Sequence, residues 1–472
     1  MTSGAGETVR VRFAGLELED SVARIAAAVA RDGGRALLVG GAVRDALLGR
    51  VAEDADLEVF GLSPEAVIAC VQRVARADVV GRGFPILRLR GRPVDVTVPR
   101  RGRPSGDRDF AFGADPSARI DDALARRDFR INAMAWDPRS GELVDPHQGA
   151  ADLRRRRLRH TGERFGEDPL RVLRGMQLVA RFALTPDPDT IAVCRTLSPA
   201  GLAAERIRGE WRKLLLQGEQ LGAGLAFLHD AHWLGAFPEL AALVGCAQDP
   251  TWHPEGDVWV HTGHCLDAFA EARLGNPEED WIVGLAVLCH DLGKPETTRE
   301  RDGRLRSYGH DARGVERTRS FLTRFAPEPA LLDAVEPLVA HHLAPAQLYR
   351  DRARVGDAAI RRLARRVGRI DRLVRVARAD HAGRPPLPPD FPAGDWLLAR
   401  ASRLGVEEAP PLRLVLGRDL LPLGIEGRRL GRWLAACYEA QLAGAFDSTE
   451  AGVAWVQARN PDGEPPETPE EA

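Results

Sequence analysis

Two sets of side chains in this chain are spaced for chemistry: a pair of aspartates near the N-terminal end, and a series of histidines and aspartates in the second half. Asp54 and Asp56 close a stretch, residues 37–60, that reads LLVGGAVRDALLGRVAEDADLEVF. In a strand, residues i and i+2 point to one face, so both carboxylates aim at one point. Hard oxygen ligands of this kind suit Mg²⁺, which keeps several waters and is shared between a few carboxylates and substrate phosphates. Ahead of them, Gly40-Gly41 ends an apolar run and opens a helix-like segment. Glycines let backbone N–H groups approach a triphosphate beside a helix N-terminus, whose dipole favours anions, and Arg44 adds a forked cation. No G-x-G-x-x-G is present in this stretch, which argues against dinucleotide binding.

These groups need a scaffold, and the pattern supplies one. Apolar positions at helical spacing predict a helix over residues 16–31, broken by Asp32-Gly33-Gly34 before the first strand. A second helix is expected over residues 63–75, with Ser63 as N-cap and Pro64 at its first position. Strands are expected over residues 84–89 and 93–98, the latter carrying Asp95 between valines. Asp95 is a candidate third acidic group, with a plain edge-strand aspartate as the alternative. Residues 100–122, rich in Arg, Gly, Asp and Pro, read as a mobile loop. In RRDFRINAMAWDP, residues 126–138, Asp128 and Asn132 lie four apart beside Arg127, so a helix would put both on one face. An N-cap aspartate is the competing reading. Beyond residues 145–149, DPHQG, strand signals largely disappear.

The order G-G-A-V-R-D followed by D-x-D resembles the signature of the polymerase-β-like nucleotidyltransferases, and within them the bacterial tRNA nucleotidyltransferase (CCA-adding) and poly(A) polymerase family. The resemblance implies an enzyme that adds C and A from CTP and ATP to the 3′ end of tRNA without a nucleic-acid template. Asp54 and Asp56 would be its catalytic Mg²⁺ ligands, and Gly40, Gly41 and Arg44 would seat the triphosphate. RRDFRINA resembles the family's second motif, which would place Arg127, Asp128 and Asn132 on the nucleotide's sugar and phosphates. DPHQG resembles the hinge behind the catalytic head. Residues 100–122 occupy the place of a flexible element implicated in the switch from C to A addition.

In EDPLRVLR, residues 167–174, Pro169 suits the first turn of a helix, so that Asp168, Arg171 and Arg174 recur every three residues along one side. A carboxylate there would accept from the exocyclic amino group that cytosine and adenine share, while a guanidinium donates to a ring acceptor. G and U present the opposite polarity at that position. The family uses its matching residues as such a protein template, here Asp168 with Arg171; a surface ion pair of small worth is the alternative. ERIRGEWRK, residues 205–213, resembles the family's last neck motif and would brace the neck and the tRNA end.

From about Trp252 the vocabulary changes to His261, His290-Asp291, His310, His341-His342 and Asp380. Imidazoles and carboxylates in this combination hold one or two divalent transition-type metals, which activate water near neutral pH. The series resembles the HD phosphohydrolase superfamily, with His261, His290, Asp291 and Asp380 matching the minimal ligand set. His310 and His341 would permit a second metal, the tandem His342 leaving that ligand open. Lys294, beside the motif, could approach a phosphate. The resemblance implies a phosphatase or phosphodiesterase whose substrate and metal it does not name.

At 472 residues the chain exceeds one ordinary core, and a net charge of −2 speaks against a uniformly basic nucleic-acid wrapper. Arginine supplies nearly all the positive charge, since Lys213 and Lys294 are the two lysines. Six cysteines without a C-x-x-C pair read as buried hydrophobes in a reducing compartment. With no leader and no apolar run of membrane-spanning length, a cytoplasmic protein without a membrane partner is expected. The expected fold class is α+β: a small mixed-sheet polymerase-β-like head over residues 1–150, then a helical neck over 151–245. An HD domain over 246–390, a helical tail over 391–460 and a disordered acidic end over 461–472 complete the expectation. Relatives adding only CC, only A or a poly(A) tail share these motifs, and an HD phosphohydrolase with an RNA-binding head and a non-catalytic RNA-binding scaffold are the remaining alternatives.

Overall fold

A computed structural model describes residues 10–80, 86–101, 113–115, 117–459, 463 and 465–466. The described chain divides into two compact units, one running to Glu210 together with Ala223–Ala236, the other comprising Trp211–Gly222 and Phe237 onward.

The first unit is built on a seven-stranded mixed sheet. Its strands are β1 (Arg35–Val39), β2 (Ala55–Phe60), β3 (Ala77–Val80), β4 (Ile86–Leu89), β5 (Val94–Thr97), β6 (Ala135–Trp136) and β7 (Leu143–Val144). They lie in the order β3-β4-β5-β2-β1-β6-β7, with β2 and β5 parallel and the other neighbours antiparallel. Ala55, Leu57 and Val59 of β2 and Val94 and Val96 of β5 point to one face. That face packs on Leu18, Val22, Ile25 and Val29 of α1 (Leu16–Arg31) and on Val67 and Val71 of α3 (Pro64–Gln72). Burying each such Val or Leu stabilises the fold by about 1.5–3 kcal/mol, which fixes the strand register. Alternation then turns Asp56, Glu58 and Asp95 to the opposite face, and the β2–β5 register sets Asp56 beside Asp95.

Between β1 and β2 runs the short helix α2 (Gly41–Leu47). Ser63 caps α3 by accepting from the Ala66 N–H at 3.3 Å, with Pro64 next, as the sequence indicates. The segment expected to be a mobile loop, 100–122, lies mostly outside the described residues. Its described ends pair as Arg100 with Ala114 and Arg101 with Gly113, and Ile120–Leu124 is helical. After the sheet, Asp145 accepts from the backbone N–H of Gly149 and Ala150 at 2.7 and 2.9 Å, which starts the chain's change to helices. Two of these matter for the site: α4 (Arg171–Phe182) and α5 (Ala204–Gln217).

The second unit is almost wholly helical. Its central helices are α6 (Val258–Glu271), α7 (Pro277–Cys289), α8 (His310–Leu322), α9 (Pro329–His341) and α10 (Ile370–Ala382). Caps fix where two of them begin: the Asp257 carboxylate accepts from Val260 N–H at 2.9 Å, and Asn276 accepts from Glu278 and Glu279 N–H at 3.1 and 3.3 Å. Trp211, Phe237, Phe321 and Phe325 form an aromatic core, Trp211 stacking on Phe325 at 6.1 Å between centroids. The proline-rich residues 385–390 after Gly383, expected to be a linker or boundary, are exposed, and the chain returns to the core at Phe391, buried against Ala377 and Ala393. The tail has its own small core, Trp433, Cys437, Phe446 and Val456 among others, and Glu439 ties it to Arg362 and Arg365. No helix among the described residues is long and apolar enough to cross a membrane. The end expected to be disordered, 461–472, falls almost entirely outside the described residues.

Candidate active site and metal centre

The head site forms on the sheet face opposite α1 and α3. Asp54 and Asp56 both reach solvent there. The surrounding protein pushes the Asp56 carboxyl above its ordinary value, and the charges of Asp54 and Asp95 add to this, opposed by Arg127 and Arg174. Carboxylates repelling one another on the exposed face of the sheet are a donor set that a divalent cation would relieve, so these residues fit a hard ion. Asp95 is already engaged, taking a two-pronged ion pair from Arg88 at 3.0 and 2.9 Å.

Gly40 has φ of +79°, and a Cβ placed on it would lie 2.7 Å from Nη1 of Arg127. Glycine is therefore required twice at this position, by backbone conformation and by the guanidinium laid against it. Arg127 also stands 3.7 Å from Glu58 on β2. Arg44 does not point into open space: it is buried, donates to Asn132 Oδ1 at 2.7 Å, pairs with Asp45 at 2.8 Å, and sits 4.3 Å over the Phe182 ring. Its geometry positions Asn132.

Asp128 is buried, accepting from Phe129 N–H at 2.7 Å and Asn132 Nδ2 at 3.1 Å, with Arg174 Nε 3.2 Å from its other oxygen. Burial alone would raise its pKa; Arg174, the two hydrogen bonds and Arg171 hold it below the ordinary value. The helix expected to join Asp128 to Asn132 is instead one turn of 3₁₀ helix, Arg130–Asn132, entered from extended Phe129, and the side-chain bond brings the pair together.

The EDPLRVLR motif also differs from a continuous helix. α4 begins at Arg171, and Asp168 precedes it in extended conformation, accepting from Leu170 N–H at 3.2 Å. Asp168 takes its ion pair from Arg206 of α5 at 2.6 Å, while Arg171 donates to the carbonyls of Arg164 and Arg126 at 2.7 and 2.6 Å. The two groups expected to read a base as a pair are thus held separately. Arg206, within the ERIRGEWRK motif, is a partner that local spacing could not reveal.

The second site lies wholly in the second unit and is buried. His290, His310 and His342 each set Nδ1 against a backbone carbonyl three residues upstream, Val287, Ser307 and Val339, all at 2.7 Å. Nδ1 must donate in each case, so in the neutral ring Nε2 is the lone-pair donor; with no ion bound, burial is outweighed by the Asp291 carboxylate, which raises the His290 pKa to about 10. Nε2 of His310 lies 3.3 Å from Nε2 of His342 and 3.4 Å from Asp291, and Nε2 of His290 lies 3.2 Å from Asp291. His261 places Nε2 3.1 Å from Asp380 and Nδ1 2.7 Å from the fully buried Glu255. Of the tandem pair, His342 joins the cluster and His341 does not. His342 sits 2 % exposed at the end of α9, whereas His341 turns to the adjoining face of the helix.

Burial lowers the pKa of His342 to about 4, keeping it neutral as a metal ligand must be. Burial opposes the negative charge on Asp291 and Asp380, yet the neighbouring cationic groups hold both well below the ordinary carboxylate range. His290 Nε2 and both Asp291 oxygens are buried without a hydrogen-bond partner, although Lys294 Nζ forms an ion pair with Asp291 at 2.6 Å. Orphaned inward-facing donors of this kind fit a bound divalent metal. Beside them opens a cavity of about 400 Å³, lined among others by Lys294, Arg306, Arg384, Trp252 and Tyr308. The sequence reading missed His253, Glu255 and Cys265; the HPEGD run just before His261 was the available signal for the first two.

Residues 36–159 match the poly A polymerase head domain family and residues 261–376 the HD domain family. Over 425 residues the chain is 36 % identical to the multifunctional CCA protein of Stenotrophomonas maltophilia, covering 86 % of this chain and 99 % of that one. The chain belongs to the multifunctional CCA protein family. The family member of Xylella fastidiosa is 33 % identical over 441 residues, covering 88 % of this chain and 98 % of that protein. Among solved structures, the Bacillus stearothermophilus CCA-adding enzyme in complex with CTP superposes with a TM-score of 0.66 at 25 % identity, covering 93 % of this chain and 97 % of that one. The Thermotoga maritima CCA-adding enzyme complexed with tRNA shares the fold, with a TM-score of 0.57 at 18 % identity over 94 % of this chain and 96 % of that one. The α+β class read from the sequence, a mixed-sheet head and a helical remainder, is the fold of this family. Domains of both matched kinds use divalent metal ions.

Proposed function

We propose that this CCA family member adds C and A to the 3′ end of tRNA from CTP and ATP, and hydrolyses a phosphate ester at its HD centre. The observation that carries the first half is the sheet face that holds Asp56 beside Asp95, with Asp54 in the bend just before it and the Arg127 guanidinium laid against Gly40 and near Glu58. Asp54 and Asp56 would hold Mg²⁺, which when bound neutralises charge building on the α-phosphate and the departing pyrophosphate. The rest is positioning. Gly40 and Gly41 admit the triphosphate backbone closely, and Arg127 supplies a forked donor beside it. Arg44 keeps Asn132 in place, and Asn132 with Arg174 orients Asp128 toward the sugar.

Asp168 and Arg171 read the base. In the free protein Arg206 occupies the Asp168 carboxylate and main-chain carbonyls occupy Arg171, so reading requires both to exchange partners. That exchange makes base choice part of nucleotide binding. In the HD centre His261, His290, Asp291 and Asp380 would hold one divalent metal and His310 with His342 a second, supplying an activated water. Lys294, Arg306 and Arg384 along the adjoining cavity favour an anionic phosphate. The division into head 1–150, neck 151–245, HD domain 246–390 and tail 391–460 follows these roles.

A trimmed tRNA lacking its last three nucleotides tests the proposal directly. Offered CTP alone, then ATP alone, then both, the protein is expected to complete the end only with both. Poly(A) extension from ATP alone would assign the poly(A)-adding relative instead.

A further inference from the structure

The HD centre contains a group that its carboxylate and imidazole ligands do not account for. Cys265 lies one turn beyond His261 on α6, fully buried, with Sγ 3.3 Å from His261 Nε2. His261 Nε2 is in turn 3.1 Å from Asp380 Oδ1. One donor atom from each of His261, Cys265, His290 and Asp380 lies within 4.8 Å of the others. The separations are those of groups around one common ion: with metal–nitrogen bonds of about 2.0–2.1 Å and metal–sulfur bonds of about 2.3 Å, neighbouring ligand atoms stand ~3–4 Å apart. The thiol is also held in place from behind. A Cβ on Gly383 would fall 2.3 Å from Sγ, so the end of α10 closes over the cysteine and denies it another rotamer.

We infer that Cys265 is a ligand of the HD metal, adding a sulfur donor to His261, His290, Asp291 and Asp380 and so selecting a thiophilic divalent ion over Mg²⁺. Two observations carry this independently: the sulfur's place among the donor atoms, and the orphaned buried His290 Nε2 facing the same space. Soft thiolate ligands favour zinc-like ions, while Mg²⁺ demands oxygen donors and retains its waters. Binding releases the thiol proton and leaves the thiolate bound to the ion, so affinity falls as pH falls. The inference rests on the HD centre holding a metal, and it adds which metals that centre accepts.

The test uses the full-length protein, stripped of metal and titrated with Co²⁺. A near-ultraviolet sulfur-to-cobalt charge-transfer band is expected at one equivalent in the HD site. Cys265→Ser should abolish the band, keep the weaker visible bands of protein-bound cobalt, and weaken Zn²⁺ binding by about tenfold or more while leaving Mg²⁺ binding little changed. The head's carboxylates cannot give a sulfur band. Stoichiometric cobalt bound to the wild type without that band would overturn the inference while leaving the HD centre intact. No cobalt bound outside the head would overturn both. If Cys265→Ser does not fold, the wild-type spectrum alone still decides, and a band that persists in Cys265→Val would move the sulfur ligand to another cysteine.

Discussion

The head and the HD centre give two different answers to one problem, holding a divalent ion beside a phosphate. In the head, Asp56 on the central strand β2 and Asp54 in the bend before it stand two residues apart in sequence and reach solvent. In the HD centre, side chains from α6, α7, α8, α9 and α10 converge in a buried cage whose histidines are locked into one tautomer by backbone carbonyls. The first arrangement suits an ion that arrives with its substrate and keeps its waters. The second suits a resident ion, because a metal satisfies buried donors that have no hydrogen-bond partner in the protein. An exchangeable, hard ion and a retained, softer one are the expected consequence.

The widest separation between the two regions should come from replacing Asp54 and Asp56 with alanine. Incorporation of labelled CTP into trimmed tRNA should fall by about 10³-fold or more, since one preorganised electrostatic group alone is worth about 10²–10³-fold. Phosphate-ester hydrolysis should be unchanged; a parallel fall in both would mean the regions are not separate. His342→Ala should cut hydrolysis by about 100-fold with nucleotide addition intact, and His341→Ala should alter neither. Equal losses from both histidine variants would dissolve the assignment of His342.

Chelation sharpens the same contrast. Brief treatment followed by gel filtration should leave nucleotide addition restorable by Mg²⁺ alone, while hydrolysis returns only with a transition-type ion. Next in size is Asp128→Asn. It leaves the half-exposed Arg174 without its buried partner and should cost about 1–2 kcal/mol of stability, read as a lower midpoint in a urea titration. The smallest effect concerns the base reader. Asp168→Ala should reduce discrimination of C and A against U and G by about 10–100-fold, a loss of about 1–3 kcal/mol. Arg206→Ala frees the same carboxylate and should change it only a few-fold. A larger effect from Arg206 would assign that residue a direct contact with the nucleotide.

The two sites also differ in how far they could be read without a structure. The head's logic is local: Ala55, Leu57 and Val59 alternate with Asp56, and a strand's period of two decides which face each takes, whereas Asp54 sits in the bend just before the strand and not within it as expected. The helix over residues 16–31, the Ser63 cap and the mixed-sheet head followed by helices were legible for the same reason. Where a turn type rather than a period sets direction, the reading slipped. Asp128 and Asn132 meet through a hydrogen bond across a 3₁₀ turn, and Asp168 precedes its helix. Arg44, read as a forked donor for the triphosphate, is buried against Asn132 and Phe182, contacts made by residues far along the chain.

By itself the sequence determined everything that depends on neighbours within a few residues: strand faces, helix starts, the acidic pair and the presence of histidines able to bind metal. Only the tertiary structure decided which donors converge. It chose His342 over His341, paired Asp168 with Arg206, and set Asp380 against His261. The reason is that a helix fixes the direction of a side chain from its period alone, but what that side chain meets is set by the packing of helices 30 to 120 residues away in sequence. No local pattern carries that information.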